Sequence, residues 1–131
     1  PPMLLLDALL EHGESDVVCE RTFRDGDFFV EEGRVTALVT IELFAQAAAA
    51  HFGYANLARG TVTASGALLG ARRIDLLVPS YGVGERLVVR ARQVGMMPPA
   101  AQYECTIEGE GGAVLARGSI NVAMGIEAPA G

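Results

Sequence analysis

The sequence predicts an α+β domain in which an antiparallel sheet wraps around one long helix. Three observations predict it. Residues 36 to 58, TALVTIELFAQAAAAHFGYANLA, are a long apolar stretch, and the alanines from Ala45 to Ala50 favour a helix. Much of the remaining chain alternates apolar and polar residues, the period of a half-buried strand. The order is short helix, strand, long helix and then a meander of strands, which is an α+β pattern.

The chain has 131 residues without a repeat, linker or low-complexity tract, so a single domain over residues 1–131 is expected. Half of the residues are hydrophobic and 20% are charged. That composition supplies a core and leaves apolar surface for a subunit interface. A net charge of -6 argues against nucleic acid, which attracts a basic surface.

Cys19 and Cys105 lie on separate predicted strands and are expected to be buried and reduced, as in a cytoplasmic protein. With two histidines, two cysteines and no ligand spacing, no metal site is expected, and no cofactor. The opening MLLLDALL is too short for a signal peptide and carries Asp7. The long stretch holds Glu42, Gln46, His51, Gly53 and Asn56, too polar for an isolated membrane span.

The elements follow in order. PPMLLLDALLEHG, residues 1 to 13, reads as a short helical turn, with Pro1 and Pro2 ahead and Gly13 as a stop. SDVVCERTFR, residues 15 to 24, reads as a strand. Val17, Cys19 and Phe23 fall on one face and Glu20, Thr22 and Arg24 on the other. DGDFFVEEG, residues 25 to 33, is a loop marked by Asp25-Gly26 and Glu32-Gly33. The long helix starts at Thr36 as a cap, weakens at Gly53 and ends by Gly60.

TVTASGALLGARRIDLLVP is β-rich but punctuated by Gly66 and Gly70, and glycine inside a strand often marks a bulge or a close approach. SYGVGE, residues 80 to 85, is a turn. RLVVRARQVGMM puts Leu87, Val89 and Ala91 opposite Val88, Arg90 and Arg92, and MMPPA breaks it. AQYECTIEGE puts Tyr103, Cys105 and Ile107 opposite Gln102, Glu104, Thr106 and Glu108. Gly111-Gly112 turns the chain into the last strand, AVLARGSINVAM, and GIEAPAG is a frayed tail.

Within this frame Glu42 is the residue of most interest. Burying an unpaired carboxylate is costly, so a carboxylate in an apolar stretch is paired, protonated or functional. Gln46 lies one helical turn on and shares its face. The alternative is a structural carboxylate at a subunit interface, paired with an arginine such as Arg72. His51 is nine residues beyond Glu42, about 900° round the helix, and so faces the other side. It is expected at the helix end near solvent or packed in the core. Arg72 and Arg73 are adjacent, so on a strand they point to opposite faces. One of them either attracts an acidic partner or is an ordinary surface charge.

The chain resembles the β-hydroxyacyl-(acyl carrier protein) dehydratases of the hotdog fold, and more closely their dehydratase-like relatives from aryl polyene-type lipid clusters. MLLLD, residues 3 to 7, is similar to the family's LLVD segment. IELFAQAAAA, residues 41 to 50, is similar to its central helix motif of an acid, a glutamine four residues on and then small residues. GALLGARR, residues 66 to 73, is similar to the relatives' GFLLG-T-R-R strand. VPSYGVGERL, residues 78 to 87, is similar to the P-V-x-x-G-D-x-L turn, and SINV to the last strand. The resemblance spans nearly the whole chain.

It implies a helix acid at Glu42 that protonates the departing β-hydroxyl, with Gln46 in support and the backbone N–H of Ala37 binding the thioester oxygen. A carboxyl in apolar surroundings holds its proton for donation, and a helix N-terminus suits a developing enolate. Gly66 and Gly70, with Leu68 and Leu69 between them, are candidates to line an acyl or pantetheine tunnel; the alternative is that the glycines only allow strand twist.

The family's base is a histidine in an H-F-P-G motif upstream of the helix. DGDFFVEEGRVTA stands there without a histidine, and the chain has only His12 and His51. Asp27, Glu31 and Glu32 are the other candidate bases. The resemblance implies a homodimer acting on thioesters of acyl carrier protein or coenzyme A. The missing histidine points to a second arrangement, a non-catalytic or acyl-binding subunit in a heteromer with a histidine-bearing hotdog homologue. A hotdog thioesterase, with Glu42 activating water, is the third reading.

Overall fold

The computed structural model of the protein describes residues 5–58, 61–63, 67–123 and 127–129. The first elements are strands β1 (Ala8–His12), β2 (Asp16–Thr22) and β3 (Arg34–Thr36). A 3-10 helix (Ala37–Val39) then runs directly into the long helix α1 (Thr40–Ala58). Strands β4 (Thr61–Thr63), β5 (Ala67–Leu76), β6 (Ser80–Gly82), β7 (Arg86–Met97), β8 (Ala100–Glu108), β9 (Val114–Ala123) and β10 (Glu127–Pro129) follow. The main sheet is antiparallel and six-stranded in the order β1-β2-β7-β8-β9-β5, so β1 and β5 are its edges.

The helix lies on one face of this sheet because its residues bury as a stripe. Thr40, Leu43, Phe44, Ala47, Ala48, His51 and Phe52 recur at the three- and four-residue spacing of one helix face, and all are buried. They meet Val17, Cys19, Leu87, Val89, Ala91, Tyr103, Cys105, Ile107, Ile120 and Val122 from the strands. The other face of the sheet is polar, as expected for an antiparallel sheet packed on one side. Cross-strand pairs run over it: Arg86–Glu20 at 2.6 Å, Arg90–Glu108 at 3.3 Å and Arg92–Glu104 at 3.4 Å. Such exposed pairs contribute at most about 1 kcal/mol each.

Three sequence expectations are corrected. The opening segment was expected as a helical turn, but Ala8–His12 is an edge strand with Ala8 opposite Glu20 and Leu9 opposite Cys19. The ladder to β2 overrides a local preference that is small per residue. Ser80–Gly82 lies inside the expected turn, but pairs with Arg34–Thr36 and buries Tyr81 against Val35. Three residues are too few to show a period. In the expected frayed tail, Glu127–Pro129 pairs with Thr61–Thr63. Elsewhere the alternating stretches become β2, β7, β8 and β9, and the glycine-punctuated β5 carries register shifts at Leu68/Gly70 and Ala71/Arg73. Both cysteines are free and buried, and burial pushes their thiols up to about 11 for Cys19 and about 12 for Cys105. No helix among the described residues is long and apolar enough to cross a membrane.

Candidate functional site

The entry to the helix is fixed by three contacts. The Thr36 hydroxyl accepts from the Leu38 N–H at 3.4 Å, capping the 3-10 turn as expected. The Ala37 N–H donates to the Pro79 carbonyl at 3.0 Å. In the core, the Thr40 and Tyr81 hydroxyls share a hydrogen bond, and burial raises the Tyr81 pKa. Strand β6 and the residue before it therefore hold the helix start, which places Glu42 in the first turn of α1. The Ala37 N–H, expected at a thioester oxygen, is bonded to Pro79 in the single chain, and the residue is buried.

Glu42 is exposed on the flank of α1 that the sheet does not cover. The expected apolar burial is therefore absent within one chain, because the sheet covers a single stripe of the helix. Ile41, Ala45, Gln46, Ala49, Ala50 and Gly53 are only partly buried. Gln46 is brought to Glu42: its Nε2 donates to Glu42 Oε1 at 3.3 Å. Its own Oε1 accepts the Leu5 N–H at 2.7 Å.

The candidate bases fare differently. Asp27 is committed to structure. Its Oδ2 accepts from Arg21 Nη2 at 2.6 Å and from the Arg24 N–H at 2.8 Å. Arg21 is nine-tenths buried, lies 4.5 Å over the Phe23 ring and also pairs with Asp7 at 3.3 Å. Glu31 and Glu32 are exposed; Glu31 pairs by backbone with Arg34, and Glu32 sits at φ 51 in the turn. Among the described residues, no hydrogen bond or ion pair links either of them to Glu42.

Both histidines lie away from Glu42, stacked on each other with ring centroids 5.1 Å apart. His51 takes the packed-core alternative. Its Nε2 lies 3.0 Å from the Glu14 carbonyl and its Nδ1 2.6 Å from the Tyr103 hydroxyl. A carbonyl only accepts, so Nε2 carries the proton and Nδ1 accepts from Tyr103. His12 Nε2 donates in turn to the His51 carbonyl at 2.9 Å.

Burial is the largest cause holding the His51 pKa below the ordinary 6.5. His12 adds to the lowering, while the Glu14 and Gly13 backbone and Asp16 oppose it. The unfolded chain therefore takes up this proton first on acidification. The stabilisation is full above pH 6.5 and is lost as pH falls from there through the lower folded value. The expected slope is at most about 1.4 kcal/mol per pH unit. Urea unfolding between pH 7.5 and 5 checks this, and His51→Phe should flatten the slope. A slope unchanged in that variant assigns it to other groups.

Of the tunnel candidates, Gly66 and the side chains of Leu68 and Leu69 lie outside the described residues. Gly70 sits at a bulge, and no atom comes within 4 Å of where a Cβ would stand. Arg73 pairs with Asp75 at 3.2 Å, on the rim of a basin of about 630 Å³ on the polar face of the sheet. That basin is lined by Arg90, Arg92, Glu104 and Arg117 rather than by Glu42 or Gln46, so it is separate from the helix site. Among the described residues no cluster of three or more metal-ligating side chains occurs.

Sequence reading missed Arg21. The signal was present: the inward series Val17, Cys19, Phe23 runs through position 21, so a strand with that face must turn Arg21 inward.

A family model described as ApeP-like, ApeP dehydratase, matches residues 1–128. The chain is similar to the dehydratase heterocomplex ApeI:P from Xenorhabdus doucetiae, at 26% identity and TM-score 0.86, over 94% of this chain and 84% of that one. It is also similar to zebra fish thioesterase superfamily member 2, at 18% identity and TM-score 0.68, over 89% and 80% of the two chains. A third likeness is smu.793 from Streptococcus mutans UA159 bound to acetyl CoA, at 14% identity and TM-score 0.66, over 88% and 86%. The last two likenesses are of fold alone, and that fold is the hotdog fold. No curated protein matches the chain.

Proposed function

Because the chain belongs to the ApeP-like dehydratase family, we propose that it supplies the acid half of a 3-hydroxyacyl-thioester dehydratase whose base comes from a histidine-bearing hotdog partner. One observation carries this reading. Glu42 stands on an uncovered helix flank with Gln46 donating to it, while both histidines are tied to each other on the far side. Both histidines are engaged elsewhere, which supports a base supplied by a partner.

The flank itself calls for a cover. Ile41, Ala45, Ala49 and Ala50 are apolar and partly exposed, Leu38 is 70% exposed, and Phe28 in the preceding loop is 83% exposed. A helix apolar on both faces belongs inside a larger body. The ten-residue edge strand β5 offers unpaired backbone to a second sheet. The ApeI:P relative is a heterocomplex, which supports a heteromer over a homodimer. Such a partner would cover Glu42 and exclude water from the acid.

In the proposed step, the partner's imidazole takes the α-proton of a thioester carried on acyl carrier protein or coenzyme A. The Cα electrons form the double bond, and the β-hydroxyl leaves as water with the proton from Glu42. We place the thioester oxygen at this helix start, where the Leu38 N–H is held by Thr36 only at 3.4 Å and the Ala37 N–H by Pro79 at 3.0 Å. The buried thiols fit a reducing cytoplasm.

The test is to incubate the chain alone and with a histidine-bearing hotdog homologue, using a 3-hydroxyacyl carrier-protein thioester, and to identify products by mass spectrometry. Enoyl product only from the mixture is expected. Enoyl product from the chain alone overturns the half-site. Free acid and free thiol from the chain alone make it a thioesterase.

A further inference from the structure

The amino-terminal segment is tied to the helix more firmly than an edge needs. The Leu5 N–H donates to Gln46 Oε1 at 2.7 Å, and Leu5 and Leu6 are buried in the core. The Asp7 N–H donates to the Glu20 carbonyl at 2.8 Å. Asp7 Oδ2 accepts from the Thr22 N–H at 2.7 Å, and Oδ1 pairs with Arg21 at 3.3 Å and Arg24 at 3.5 Å.

A primary amide can present either its oxygen or its NH2 to a neighbour. Here the choice is forced. A backbone N–H only donates, so the Gln46 atom beside Leu5 must be the oxygen, and the NH2 must face Glu42. Where Glu42 acts as the acid in the proposed complex, an N–H aimed at its Oε1 favours that atom as the carbonyl oxygen and leaves Oε2 to carry the proton toward a substrate. A reversed Gln46 would aim its own oxygen at Glu42 and hold that proton itself.

We infer that Leu5–Asp7 is a positioning strap for Glu42, anchored through Asp7 to Arg21, and that it sets which carboxyl oxygen carries the transferable proton. This deepens, and rests on, the reading of Glu42 as the acid. The Leu5 amide and Asp7 are positioning groups and touch no substrate.

The first test is on the unmodified chain: a scalar coupling across the hydrogen bond between the Leu5 backbone nitrogen and the Gln46 side-chain carbonyl carbon. A coupling comparable to those of the β2–β7 ladder is expected, and its absence overturns the strap. The second test is Asp7→Asn, with Asp7→Glu as the conservative variant. In Asp7→Asn, hydrogen exchange of the Gln46 NH2 should quicken roughly tenfold, the scale of one hydrogen bond lost. In the complex with the partner, kcat should fall by about the same factor with KM unchanged, and Asp7→Glu should restore part of it. Unchanged Gln46 exchange in a folded Asp7→Asn protein overturns the proposal, and if that variant does not fold the coupling decides. The two readings fail separately. An absent coupling with an inactive Glu42→Gln complex removes the strap alone, whereas an intact coupling with an active Glu42→Gln complex removes the acid role and the strap's purpose with it.

Discussion

Replacing Glu42 with glutamine is expected to lower kcat of the reconstituted dehydratase by roughly 10²–10⁴-fold, the usual weight of a positioned general acid. The substitution keeps the shape and removes only the transferable proton. Glu42 is exposed in the single chain, so stability should change by no more than about 0.5 kcal/mol, and partner affinity should hold. Steady-state kinetics with a fixed excess of partner, beside urea unfolding of the variant alone, separates the two effects. A Glu42→Gln complex within about threefold of the parent would show that another group delivers the proton, a loss too small for general acid catalysis.

The second large effect concerns stability. Arg21→Met is expected to cost about 3 kcal/mol, the lower end for breaking a buried ion pair. The lower end applies because Asp7 and Asp27 keep 24% and 28% of their side-chain surface in solvent. Arg24 cannot take over, since its own side chain is 63% exposed and it reaches Asp7 only at 3.5 Å. The buried Arg21 Nε has no hydrogen-bond partner among the described residues, so the guanidinium is already imperfectly satisfied. It follows that adding Asp7→Asn and Asp27→Asn to Arg21→Met should recover much of the loss, because no carboxylate is then left without its cation. Denaturant midpoints of the single and triple variants decide this. A triple variant no more stable than Arg21→Met would mean that the guanidinium acts through its packing over Phe23 rather than through charge.

What could be read from the sequence follows from which signals are local. The buried residues of α1 repeat at helical spacing over three turns, and Thr36 caps its entry, so the helix and its bounds were legible. The same holds for β7 and β8, where long alternation fixes both existence and facing. Short elements carry no such period. Ser80–Gly82 and Ala8–His12 become strands only because Arg34–Thr36 and Asp16–Thr22 supply the ladders.

For the site, the Glu42–Gln46 pair was legible because it is one helical turn apart. Its environment was not. The apolar sequence around Glu42 suggested burial, yet it combines two faces, and only the one bearing Phe44 and Ala48 meets the sheet. The engagement of Ala37 with Pro79 and the bond from Leu5 to Gln46 join residues distant in sequence, and the Asp7–Arg21–Asp27 link spans separations of 14 and 6. No spacing rule reports such contacts.

On the proposed reading, Glu42 works against a base that a partner subunit supplies. The most direct measurement is a crystal structure of the chain bound to a histidine-bearing hotdog homologue and a non-hydrolysable 3-hydroxyacyl thioester analogue. The substrate's Cα is expected beside the partner's imidazole, and its β-hydroxyl within hydrogen-bond distance of Glu42 Oε2. A substrate bound between the imidazole and an acid of the partner's own helix, with Glu42 outside the cleft, would contradict it.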